Sequence, residues 1–150
     1  MTGYYNILTT IKEQLDQDDF VNTVTEGDIF EIDLSKQTIF PLSHIMVNNV
    51  TRESSVLRFN VTVMCMDIVD KSKEETTNIF RGNDNEVDVM NTQLSVINRL
   101  NEVLTRGVNR KLYQIDGNVV ATPFTMRFEN YLAGWEAEFD LLIPNDLSKC

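Results

Sequence analysis

The segment from Val56 to Val69 constrains the fold most, because it carries the longest alternating pattern in the chain. Apolar residues hold every second position in 57–65, and polar residues hold the intervening positions in 58–62. This period of two is typical of a strand with one face against a core. Met64 and Met66 then make the second face apolar as well, so we expect a helix or a neighbouring subunit to cover that end of the strand.

Two other segments alternate in the same way. Apolar and acidic residues alternate in 28–34 and again in 135–143, which predicts two half-buried strands. In each strand the carboxylates share one face, opposite the apolar residues. These carboxylates are Glu31, Asp33, Glu136, Glu138 and Asp140. We expect them to lie on a solvated surface or to line a charged channel.

Shorter strand signals fill the space between these segments. Residues 39–42 are an apolar run interrupted by Pro41, which is typical of an edge or a bend. Residues 45–50 predict a short strand, and 124–128 alternate again. Ala133-Gly134 indicates a bulge or a turn before the last strand.

Two amphipathic helices are predicted. In the first, Tyr4, Leu8, Ile11 and Leu15 follow one another at steps of three and four, so they share one helical face. The second runs from Glu86 to Arg106, after an N-cap at Asp84 or Asn85 and before a C-cap at Gly107. The apolar stripe of this second helix contains Met90, Leu94, Ile97, Leu100 and Leu104.

These elements predict one domain over residues 1–150, with an α+β fold. Two principal helices pack on one face of a mostly antiparallel sheet. The predicted core residues are Leu8, Ile11, Phe59, Val61, Val63, Leu94, Ile97, Leu100, Leu104, Phe139 and Leu141. Long connections are expected at about 70–86 and at 109–123. In the first, Ile79 and Phe80 are apolar residues in a polar stretch, so they and Arg81 are candidates for a subunit interface.

The chain has few of the residues that catalytic sites and metal sites use. The chain has one His and two Cys, too few for a disulfide framework or a four-ligand zinc site. Cys65 lies in an apolar strand and is predicted to be a core residue, and Cys150 is terminal. His44 would need a nucleophile and an orienting acid, and the adjacent Ser43 points to the opposite strand face. Gly82–Glu86 does not follow the order of a calcium-binding loop. We expect no metal, no cofactor and no catalytic residue.

Charge excludes further functions. The formal net charge of −10 disfavours wrapping nucleic acid, which needs a basic surface. The one basic cluster, Arg106, Arg110 and Lys111, could contact phosphate, but a position at the C-terminal end of a helix explains at least Arg106. No apolar run is long enough to span a membrane, and the first residues do not have the pattern of a secretory signal.

The order of these elements carries a family resemblance. An N-terminal helix leads into strands and into Phe40-Pro41-Leu42. A long strand, a polar loop and the helix 86–106 follow, and two strand segments, 124–128 and 135–143, close the chain. In this order, and in its length and acidity, the chain resembles the small tail terminator, tail completion and neck ring proteins of tailed bacteriophages.

The resemblance implies a non-enzymatic virion protein. Such proteins form a ring, commonly six-fold although other orders are possible, at the neck or at the end of the tail tube. The implied partners are further copies of the chain and neighbouring neck or tail proteins, with DNA only as passing cargo and no membrane. The protein would reside in the virion, and in the host cytoplasm during assembly. Two other hypotheses remain: a soluble adaptor or chaperone-like binding module, and a small enzyme or nucleotide-binding domain.

Overall fold

In the part of the chain that the structure describes, five strands form one sheet, and two helices cover one of its faces. The computed structural model describes residues 3–28, 37–70, 85–106, 113–127 and 131–144. The elements, in chain order, are α1 (Gly3–Asp16), β1 (Thr23–Glu26), a 3-10 turn (Gln37–Ile39), β2 (Leu42–Arg52), β3 (Val56–Ile68), α2 (Glu86–Arg106), β4 (Gln114–Arg127) and β5 (Tyr131–Pro144).

The sheet has the strand order β1-β2-β3-β5-β4. β1 runs parallel to β2, and the other neighbours are antiparallel, which confirms the predicted α+β class with a mostly antiparallel sheet. β3 is the central strand and pairs with β5 along its whole length, from Val56 opposite Pro144 to Ile68 opposite Leu132. This central position explains why β3 has the strongest alternating pattern.

The main core lies between the sheet and the two helices. From the sheet, alternate residues of β3 and β5 face this core, together with Ile45 of β2. From the helices come Ile7, Ile11 and Leu15 of α1, and Val96, Ile97, Leu100 and Leu104 of α2. Both helices therefore pack on the same face, as predicted.

The structure confirms the bounds of α2 and corrects its buried face. The predicted core residue Leu94 is 38% exposed, whereas Val89 and Gln93 are buried. Successive residues on a helix are about 100° apart, so turning Gln93 towards the sheet carries Leu94 out of the core. Among the described residues, the side-chain nitrogen and oxygen of Gln93 have no hydrogen-bond partner.

The buried face of α1 is also rotated from the prediction. Ile7, Ile11 and Leu15 are buried, whereas Tyr4 is 46% exposed and Leu8 is only partly buried. Ile7 therefore replaces Tyr4 and Leu8 as the main contact in the first half of the helix. Both sets of residues fit a helical period, because steps of three and of four are equally compatible with it.

Residues of the chain itself cover the apolar end of the second sheet face. Met64 and Met66 pack with Phe40, Leu42 and Leu132 in a second cluster. The two methionines are buried within the single chain, so no neighbouring subunit is needed to cover them, and the described helices α1 and α2 pack on the other face. Phe40 follows the 3-10 turn, which brings an apolar side chain against the methionines without a long element.

Two predicted irregular segments belong to strands. Residues 114–123, predicted to be part of a connection, lie in β4, and residues 109–112 lie outside the described part of the chain. The register shifts between Asp116 and Val120, where Gly117 has a φ of 76°, so the turn signal marks an irregularity inside the strand. Ala133-Gly134 is neither a bulge nor a turn, because both residues pair regularly within β5.

Other predicted features fall wholly or partly on undescribed residues. These are the strand 28–34, apart from Asp28, the C-cap at Gly107, and residues 71–84 of the first long connection. The two ends of that connection lie together, because the Asp70 amide donates a hydrogen bond to the Asn85 side-chain oxygen across 2.7 Å. The Asn85 carbonyl oxygen accepts the first helical hydrogen bond of α2, from Val89.

Candidate functional site

No described helix packs on the sheet face opposite α1 and α2, which we call the helix-free face. This face carries the carboxylates that the sequence groups together. In β5, Ala137 and Phe139 point into the core beneath the helices. Because side chains alternate along a strand, Glu136, Glu138 and Asp140 point to the opposite face. Glu138 is exposed, and the other two are partly exposed. We call this set of three, with Asp116 of β4, the acidic face.

Arg58 organises one end of the acidic face. Its Nε donates a hydrogen bond to Glu53 Oε1 across 2.8 Å, and its Nη1 donates to the carboxylates of Asp116 and Asp140. Asn60 Nδ2 donates to the second oxygen of Asp140 across 2.9 Å. The Glu53 carboxylate, followed by that of Asp116, raises the pKa of Arg58 above its usual range. One guanidinium thus ties β3 to β4, β5 and the turn after β2.

Glu136 and Glu138 differ from Asp140, because neither forms an ion pair with a described residue. Opposite Glu138 in the sheet lies Thr62, whose hydroxyl accepts a hydrogen bond from Asn48 Nδ2 across 2.7 Å. The strand surface beside Glu138 is therefore polar, whereas Glu136 lies opposite Met64 on one side and Thr122 on the other, and none of these described neighbours is a cation. In the described part of the chain, Glu136 and Glu138 therefore have no cation partner, and the single cation Arg58 also leaves part of the charge of Glu53, Asp116 and Asp140 uncompensated.

The remaining predicted site residues lie outside the described ranges. Glu31 and Asp33, predicted to line a channel, belong to this group, as do Ile79, Phe80 and Arg81, predicted to form a subunit interface. Their roles stay predictions. Sequence reasoning missed Arg58 and Asp116 as members of the acidic face. The usable signal was one arginine on the polar face of β3, where a buried or half-buried cation needs carboxylate partners.

His44 belongs to β2, lies opposite Thr25 of β1, and is buried. Its Nε2 lies 2.7 Å from the carbonyl oxygen of Gly27, and its Nδ1 lies 2.7 Å from Thr25 Oγ1. Burial lowers the pKa of His44, against smaller raising effects from the Gly27 hydrogen bond and from Glu26 and Asp28. This arrangement holds β1 in place and gives the imidazole no access to a substrate.

Cys65 is a core residue, as predicted. Its Sγ accepts a hydrogen bond from Ser43 Oγ across 3.5 Å, and burial raises the pKa of the thiol to about 12. The reactive form of cysteine is the thiolate, so this side chain is held in its unreactive form.

Neither metal ligation nor membrane crossing is indicated by the described residues. Within those ranges, no three His, Cys, Asp or Glu side chains are grouped so that they could hold a metal ion. The described helices are also too short or too polar to cross a membrane. A scan against protein-family models gives no match to this chain, and a search of curated proteins gives no significant match.

Proposed function

We propose that this protein is a structural ring subunit at the neck or tail-tube end of a tailed bacteriophage. In this proposal, copies of the chain pack side by side around a channel through which DNA passes, and they contact neighbouring neck or tail proteins. The observation that carries the proposal is the placement of Glu136, Glu138 and Asp140 on the sheet face that the helices leave open. The family resemblance of the element order supports the same function.

The acidic face has a physical role in such a ring. Carboxylates repel the phosphates of DNA, whereas basic side chains would bind them and slow the passage of DNA. At physiological ionic strength the Debye length is about 8 Å, so only charges that line the channel act strongly on the DNA. Glu136 and Glu138 have no cation partner among the described residues. In the proposed ring, these two side chains therefore point towards the axis.

In this proposal, the segment 71–84 contacts another subunit of the ring. The hydrogen bond between Asp70 and Asn85 places the two residues that flank this segment side by side. Ile79 and Phe80 supply the apolar contact. Phe80→Asp should leave the isolated fold intact and impair assembly, whereas Lys73→Asp, in the polar part of the same segment, should assemble normally.

Solution mass measurement tests the proposal against the alternative of an adaptor. Light scattering of the purified chain, alone and after mixing with neck and tail proteins from the same genome, should show a closed oligomer or incorporation into particles. A stable monomer or heterodimer under all these conditions would favour the adaptor. The adaptor hypothesis is retained because a small apolar pocket, lined by Leu8 and Val24, opens between α1 and β1.

A further inference from the structure

The two outer edges of the described sheet differ in their ability to accept another strand. Pro123 lies in the outer strand β4 and has no amide hydrogen to donate, and the register of β4 is interrupted after Asp116. Proline and irregular register are the usual means by which proteins block an edge. β1 lies at the other edge and has neither feature.

Among the described residues, the backbone of β1 has one side without a strand partner. The amide nitrogens of Thr23 and Gly27 donate hydrogen bonds to carbonyl oxygens of β2 or of the residue before it. Since backbone groups alternate in direction along a strand, those of Val24 and Glu26 point away from β2. No described strand pairs with β1 on that side.

His44 makes β1 a rigid edge. Its imidazole bonds Thr25 and Gly27 on the side opposite α1, and the backbone bonds to β2 hold the strand in the sheet plane. Four residues would otherwise form a weak strand. A strand held in this way presents its free donors and acceptors with little further loss of conformational entropy on binding.

An apolar pocket adjoins this edge. It has a volume of about 170 Å³ and lies between α1 and β1. Leu8, Val24 and Ile45 supply its apolar wall. The rest of the lining comes from Thr25 and from the exposed residues Thr9, Lys12 and Glu26. An apolar cavity of about 150 Å³ holds a benzene-sized group, so this pocket fits one aliphatic side chain.

The charges at the pocket favour a basic neighbour for that side chain. The Lys12 ammonium is bound to Asp16 across 2.6 Å, so its charge is compensated. Glu26 forms no ion pair with a described residue. Complementary charge at an interface selects partners and speeds their association.

We infer that the α1–β1 groove, formed by the free edge of β1 and this pocket, binds an extended peptide segment of a partner protein. The segment adds to the sheet beside β1, places an aliphatic side chain in the pocket, and places a Lys or Arg two residues away, beside Glu26. Residues two apart in a strand share a face, which sets this spacing. Strand addition gives affinity through the backbone, and the pocket gives specificity. The inference does not depend on ring assembly.

The probe is an acetylated and amidated peptide of sequence Thr-Lys-Thr-Val-Thr-Lys-Thr, titrated into the ¹⁵N-labelled full chain. Its lysines flank the valine on one face, so it can bind in either strand direction. Saturable amide shifts should centre on Val24 and Glu26, with smaller shifts at Leu8 and Ile45. Replacing the central valine of the peptide with serine should weaken binding at least about tenfold, because the pocket is then left unfilled.

Variants of the chain test the pocket and the charge separately. Thr9→Trp fills the pocket from an exposed position and should weaken binding about tenfold or more, whereas Ser95→Trp on the outer side of α2 should have no effect. Glu26→Lys should reverse the preference, so that a peptide with glutamates in place of lysines binds better.

Four results would overturn the inference. They are the absence of saturable shifts, shifts centred away from β1, binding that Thr9→Trp leaves unchanged, and concentration-dependent broadening at Val24 and Glu26 without peptide. The last would assign the groove to a second copy of the chain. None of these results bears on the acidic face, so the ring proposal is tested independently.

Discussion

The His44 Nε2 atom donates a hydrogen bond to the carbonyl oxygen of Gly27 across 2.7 Å. A carbonyl oxygen only accepts, so the proton is on Nε2, and Nδ1 is free to accept the Thr25 hydroxyl hydrogen. His44 is fully buried, and burial lowers its pKa from the ordinary value of 6.5. The folded state thus favours the neutral imidazole.

This pKa shift predicts that acid destabilises the protein. Above pH 6.5 the imidazole is neutral in both states, and its contribution to stability is complete. As the pH falls below that value, the unfolded chain binds a proton that the folded chain resists, so the free energy of unfolding decreases until the lowered pKa is reached. Urea unfolding at a series of pH values between about 8 and 5 measures this loss, since His titrates in this range.

His44→Gln is the control for this prediction. His44 is the only histidine of the chain. In the His44→Gln variant, the free energy of unfolding should therefore decrease much less below pH 6.5 than in the wild type. Burial raises the pKa of Asp67, so the folded state takes up this proton more readily and the free energy of unfolding increases as the pH falls. Asp67→Asn removes this opposite contribution. If the free energy of unfolding of the Asp67→Asn variant, with His44 intact, did not change over this range, the result would contradict the account of His44.

Substitutions in α2 should separate its buried and exposed faces. Ile97→Ala should reduce the free energy of unfolding by about 2–5 kcal/mol, because it leaves a cavity between helix and sheet. Phe139→Ala, on the facing strand β5, should cost a similar amount. Leu94→Ala should cost less than about 1 kcal/mol, because this side chain is 38% exposed. Urea unfolding measures all three, and a Leu94→Ala loss equal to that of Ile97→Ala would be inconsistent with the rotated helix face.

Two glycines should respond differently to alanine. A Cβ at Gly134 would overlap the carbonyl oxygen of Cys65, which is backbone and cannot move aside alone. Gly134→Ala should therefore prevent folding or separate β3 from β5, with a loss above about 3 kcal/mol. At Gly27 there is space, but φ is +99°, so Gly27→Ala should cost about 1–3 kcal/mol from backbone strain. Circular dichroism and urea unfolding distinguish the outcomes, and equal losses would refute the close approach at Gly134.

The Arg58 ion cluster should make stability depend on salt. Arg58→Gln leaves Glu53, Asp116 and Asp140 close together without their cation. The variant should be less stable than the wild type at low salt, and added salt should reduce the difference by screening the carboxylates. Lys12→Gln, which removes a single exposed pair with Asp16, is the matched control and should change stability little. A salt-independent difference would indicate that Arg58 acts through packing alone.

Charge reversal at the acidic face tests its proposed role in the channel. The double variant Glu136→Lys, Glu138→Lys should still fold and assemble, since both side chains lie on the helix-free face. Particles that contain it should release DNA more slowly, because lysines in the channel bind phosphates. Glu13→Lys with Glu102→Lys makes the same charge change on the exposed sides of the helices and should release DNA at the wild-type rate. Equal rates for both double variants would argue against the acidic face as a channel lining.

Periodicity predicted the fold class, the bounds of α2 and the extent of β3 nearly to the residue. It failed for β4, because an outer strand at the edge of a sheet tolerates the glycine and proline that signalled a connection. It misplaced Leu94 because hydrophobicity favours Leu over the buried Gln93, whereas the packing of the whole helix decides which face turns inward. For the acidic face, the sequence predicted which carboxylates share a strand face, but it did not predict that Arg58 is the cation that binds Asp140. Arg58 is separated from Asp116 by 58 residues and from Asp140 by 82, and only the strand order brings them together.

Electron cryo-microscopy of particles produced from the genome that encodes this chain tests the ring proposal most directly. The account predicts tailed particles with a closed ring of this subunit at the neck or the tail-tube end. In that ring the helices lie outside, and Glu136 and Glu138 point towards the axis. Particles that lack the chain, or a ring with the helices towards the DNA and the acidic face outside, would contradict it.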